Sequence, residues 1–140
     1  MLSVALALRL RAAGLAWTPT RGDRFVVRQP EMSGETFVLS DMTIEVHQFP
    51  TGPVIGFNGT TEWALDSVAQ HDTVWLPAEE QLRELLGPAF VALERAGDAF
   101  RVTIQAADGQ QRFESAQAAE AYGEALLHVL TRQPHTGPAD

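Results

Sequence analysis

Apolar residues recur at Leu2, Leu6, Leu10 and Ala13, a spacing that stripes one side of a helix over residues 3–13. Gly14 stands where such a helix stops. Trp17-Thr18-Pro19-Thr20-Arg21-Gly22-Asp23 is rich in turn formers and predicts a loop. Beyond it the period changes. Runs of β-branched and aromatic residues between turn formers predict strands over residues 24–28, 36–39, 43–48 and 54–57, and the short connections favour an antiparallel meander. Asn58-Gly59 suits a tight hairpin turn, which sets Val54 opposite Trp63 and makes residues 60–66 a fifth strand. A short helix capped by Thr60 or Thr61 is the alternative for the same segment.

From Trp75 onward the spacing turns helical. Pro77 suits a first helical position, Glu79 and Glu80 suit the positive end of the helix dipole, and Leu82, Leu85 and Leu86 supply a buried face. Gly87-Pro88 ends this helix and begins another with Phe90 and Leu93 turned inward. Phe100, Val102 and Ile104 then alternate with Arg101, Thr103 and Gln105 up to Asp108-Gly109. A turn there sets Ile104 opposite Phe113 and Gln105 opposite Arg112, so the two sides of the hairpin agree in polarity. Ser115 caps a last helix to about Arg132, with Ala119, Tyr122, Leu126 and Val129 or Leu130 inward and Glu120, Glu124 and His128 on a solvated face. Residues 133–140 lack an apolar anchor and are expected to be a mobile tail. The expectation is a single α+β domain over residues 1–132: a mostly antiparallel sheet, meander plus C-terminal hairpin, packed by N-terminal, central and C-terminal helices.

Composition then narrows the chemistry. All ten basic residues are arginine and there is no cysteine. A chain without lysine forms no Schiff base and no P-loop phosphate clamp; one without cysteine has no thiolate nucleophile, redox pair or thiolate-bound zinc. Net charge is −8, with five arginines and one acid through residue 30 and seventeen acids against five arginines after it. An acidic chain with few cations is poorly suited to nucleic acid. Arg9 and Arg11 interrupt the first apolar run too early for a signal peptide or a membrane span, and the absence of cysteine fits a reducing cytoplasm.

Four constellations merit a test. Glu45 and His47, two apart on one predicted strand, share a face and with Asp66 or Asp41 could form a metal-assisted or acid–base site; the bland alternative is the exposed face of a strand buried through Ile44 and Val46. Asp66, Ser67 and His71 have the residue types of a hydrolase triad but lack the nucleophile elbow, and a polar turn before Trp75 explains them. Glu124 and His128 are one helical turn apart without the two-histidine helix motif of zinc proteases. Arg21-Gly22-Asp23 matches a tripeptide read by adhesion receptors, but three residues recur by chance and Gly-Asp belongs in a loop, so no receptor role is expected. No cofactor or metal ion is called for.

Trp17, Trp63 and Trp75 are many tryptophans for this length, each near an element boundary. They serve as core aromatics, as the lining of a small apolar pocket, or as anchors for a protein partner.

Gly22-Asp23-Arg24-Phe25, the run Gly56-Phe57-Asn58-Gly59-Thr60-Thr61-Glu62-Trp63-Ala64-Leu65-Asp66-Ser67-Val68, and Trp75-Leu76-Pro77 leading into Glu80-Gln81-Leu82-Arg83-Glu84-Leu85-Leu86-Gly87 resemble a group of small actinobacterial proteins of unestablished function. The resemblance spans roughly residues 3–130. These proteins often carry the label of a pilus assembly protein, but nucleotide hydrolysis by a P-loop enzyme needs a glycine-rich loop with lysine, and this chain has neither. The reading that follows is a non-enzymatic binding or accessory module, cytoplasmic, acting on a protein partner or small apolar ligand through the tryptophans. A hydrolase using Glu45, His47 and Asp66 is the alternative, and homodimerisation through a sheet edge or the leucine-rich helices is a third.

Overall fold

The computed structural model describes residues 1–28, 36–39, 44–49, 52–57, 67–69 and 72–132. The fold is α+β, and the chain divides into two compact units, one built from Met1–Ala16 with Pro77–Asp140 and the other from Trp17–Leu76.

In the first unit, helix α1 (Val4–Ala12) starts at Ser3, whose hydroxyl accepts the Leu6 N–H at 3.2 Å. It ends as the spacing predicts. Gly14 takes φ +111°, Gly14 N–H reaches Arg11 O and Leu15 N–H reaches Leu10 O, so a glycine in the left-handed region closes the last turn. Leu2, Leu6 and Leu10 are buried. Helix α2 (Glu79–Leu86) begins two residues beyond Pro77; Ala78 is its N-cap and Gln81 Oε1 accepts the Ala78 N–H at 2.9 Å. Leu82 and Leu86 are buried as expected, whereas Leu85 is 43% exposed, because in so short a helix the i, i+4 pair holds the core side and Leu85 falls on its flank.

The expected second helix after Gly87-Pro88 is a strand. A 3-10 turn over Gly87–Ala89 leads into a seven-residue strand, Phe90–Ala96, labelled β7 in chain order. It pairs antiparallel with β8 (Ala99–Ala106), which in turn pairs with β9 (Gly109–Ser115). Phe90 and Leu93 satisfy helical spacing, but the Gly97-Asp98 turn, with Gly97 at φ +64°, folds the segment back on β8 from Ala96↔Ala99. Val91 is the extra residue of a bulge between Phe90 and Ala92.

The β8–β9 hairpin keeps the predicted faces in a register different from the predicted one. Ile104 lies opposite Gln111 and Val102 opposite Phe113, while Gln105 lies opposite Gln110. Asp108-Gly109 is not the centre of the turn: Ala107 and Asp108 span it, Ala106 pairs with Gly109, and Gly109 alone takes a positive φ, +109°. A mirror-image turn at Asp108-Gly109 requires a positive φ at Asp108, which no residue other than glycine adopts among the described residues. The resulting shift is an even number of residues, so inward and outward sides are unchanged.

Helix α3 (Ala118–Arg132) starts later than a cap at Ser115 implies. Ser115 closes β9, and its hydroxyl accepts the Gln117 N–H in the bend before the helix. Ala119, Tyr122, Ala125 and Leu126 are buried, as are Val102 and Ile104 of β8; Phe90 and Tyr122 pack ring to ring at 5.9 Å. The outer side of the sheet carries Glu94, Arg101 and Glu114 in one row, with Arg101 Nε 3.1 Å from Glu114 Oε2.

In the second unit, β1 (Arg24–Val27) is the centre of an antiparallel sheet ordered β2-β1-β6, with β2 at Thr36–Val38 and β6 at Thr73–Leu76. Trp75 and Leu76 therefore belong to a strand and not to the start of a helix: pairing with β1 overrides a local pattern that Pro77 ends. Phe25, Val27 and Leu39 form a core against which Trp17 and Phe37 pack. A separate sheet is ordered β3-β4-β5, with β3 at Ile44–Phe49, β4 at Gly52–Phe57 and β5 at Ser67–Ala69. The predicted strands thus divide between two sheets. Val54 lies opposite Ala69, not Trp63, so the strand that pairs with β4 comes later than expected. Residues 60–66 and the tail 133–140 lie outside the described residues.

Candidate functional site: an aromatic row ending in two tryptophans

Strand register builds the site. Phe25 of β1 is the direct partner of Phe37 on β2 and of Trp75 on β6, so three aromatic residues stand in line across the sheet. The rings of Phe25 and Phe37 are 5.7 Å apart. Trp17 lies against this row from the preceding loop, 5.6 Å from Phe25 and 6.4 Å from Trp75, and its plane is within 11° of the Trp75 plane. Both tryptophans are half-buried.

The loop that carries Trp17 is fastened by Asp23. One carboxylate oxygen accepts the Trp17 Nε1–H at 2.8 Å and the Thr20 N–H at 3.0 Å, and Asp23 is only 4% exposed. The backbone closes the same loop: Asp23 N–H reaches Thr20 O, Gly22 N–H reaches Leu39 O, and Leu39 N–H reaches Asp23 O. Gly22 takes φ +90°, where a side chain would be strained. Arg21-Gly22-Asp23 is therefore part of the fold, with its aspartate turned inward and not offered to a receptor.

The two indoles are not equivalent. Trp17 donates to Asp23, whereas Trp75 Nε1 is buried with no acceptor among the described residues. A buried donor left in this state costs about 1–3 kcal/mol. What the row offers is apolar area and two parallel ring systems. It has no nucleophile.

The other predicted residues are placed as follows. Trp63, Asp41, Asp66 and His71 lie outside the described residues. Glu45 and His47 are on β3, opposite Gly56 and Val54, and Ser67 is on β5 on the other side of Gly56, so Ser67 belongs to a strand and not to a turn. Glu124 and His128 do not act together. Arg9 Nη1 of α1 is 3.5 Å from Glu124 Oε1, and His128 Nε2 is 3.1 Å from both carboxylate oxygens of Asp108. The His128 ring also lies 5.5 Å from that of Phe113, tilted at 55°, so this part of the helix face is packed, contrary to the expected solvated one. The hydrogen bond to His128 holds the Asp108 carboxyl below the usual carboxylate range, and the nearby Arg132 charge adds to this. Among the described residues no group of three or more histidine, aspartate or glutamate side chains could hold a metal ion, and no helix is long and apolar enough to cross a membrane.

Sequence reasoning singled out Trp17 and Trp75 but not Phe25 and Phe37 as members of the row, nor Asp23 as the acceptor that holds Trp17. The available signal was the second position that each phenylalanine holds in its predicted strand. Comparison with known proteins adds no relative: no family model, no curated protein and no solved structure matches the chain.

Proposed function

We propose that the chain is a non-enzymatic binding or accessory module whose working surface is the pair of tryptophans at the end of the aromatic row, and that it receives a planar or apolar group of a small ligand or protein partner. One observation carries this reading: two half-buried tryptophans lie parallel at the end of the row. Concave or flat aromatic surfaces with a few directed polar groups are the usual form of such sites, and tryptophan is enriched where proteins bind one another. A cytoplasmic setting suits a chain without cysteine.

Anilinonaphthalene sulfonate, a planar apolar fluorophore excited by energy transfer from tryptophan, tests the proposal. Saturable binding to the native protein is expected, weakened at least about tenfold, or ~1.4 kcal/mol, in a Trp17→Ala variant whose circular dichroism remains native. Absence of saturable binding, or equal binding by the variant, overturns it.

A further inference from the structure

No further inference is drawn: the strongest candidate, the outer edge of β7 where Val91 and Leu93 are exposed beside Glu94 and Arg95, carries nothing because nothing in the structure shows what covers it.

Discussion

Gly123, in the middle of α3, gives the sharpest test of how the helices pack. A Cβ built there would stand 2.6 Å from Leu6 Cδ2 and 2.7 Å from Leu2 Cδ1, with Leu6 Cγ at 3.3 Å. Carbon atoms prefer about 3.5–4.0 Å. Both leucines are buried, so the methyl tips that must shift have to repack within the core. Two opposing effects meet in Gly123→Ala. Alanine gains about 1 kcal/mol over glycine in a helix interior, and forcing an extra methyl into a packed contact costs about 1–3 kcal/mol. The net expectation is destabilisation by about 0–2 kcal/mol, read from urea unfolding followed by circular dichroism. Leu6→Ala by itself should cost about 2–5 kcal/mol. In the Gly123→Ala background it should cost at least ~1 kcal/mol less, because the shortened side chain vacates the space the new methyl needs. If Gly123→Ala instead stabilises by the full ~1 kcal/mol of helix propensity, α1 and α3 do not approach closely at this glycine and the packing described is wrong.

Other expectations follow from single contacts. Asp23→Ala leaves the Trp17 indole N–H and the Thr20 N–H without their shared carboxylate, and should cost about 3 kcal/mol with a red shift of tryptophan emission; an unchanged unfolding midpoint would refute the fastening role. Gly97→Ala meets no atom within 4 Å but must hold φ +64°, so a loss of about 1–2 kcal/mol from backbone strain alone is expected in chemical denaturation. The Asp108 carboxyl titrates lower in the folded protein than in the unfolded chain, so its contribution is present above the ordinary aspartate range and is lost as pH falls through the lowered value. Acid titration of stability should accordingly show wild type ahead of Asp108→Asn near neutrality and level with it in strong acid. A difference that stays constant across that range would contradict the His128–Asp108 contact.

What the sequence made legible is what local chemistry decides. Helix α1 could be read from Leu2, Leu6, Leu10 and Gly14 because its face, cap and stop all lie within one short stretch. The β8–β9 faces were legible because alternation on both strands is independent of an even slip in register. β7 was not, since Phe90 and Leu93 fit a helix and only pairing with β8 makes the segment extended. The same holds at Trp75, which follows strand geometry because β1, far away in sequence, lies beside it. The aromatic row depends on two registers at once, β1 with β2 and β1 with β6, and no spacing along the chain encodes that alignment. The fastening role of Asp23 was not legible because a buried aspartate accepting an indole N–H looks, in sequence, like one more turn residue.

The most direct test of the aromatic row as a binding surface is a nitrogen–proton correlation spectrum with the three indole signals assigned, recorded while anilinonaphthalene sulfonate is added. The Trp17 and Trp75 signals are expected to move together and saturably, since the two parallel rings form one surface. Unmoved Trp17 and Trp75 signals in a protein that still binds the probe elsewhere would contradict it.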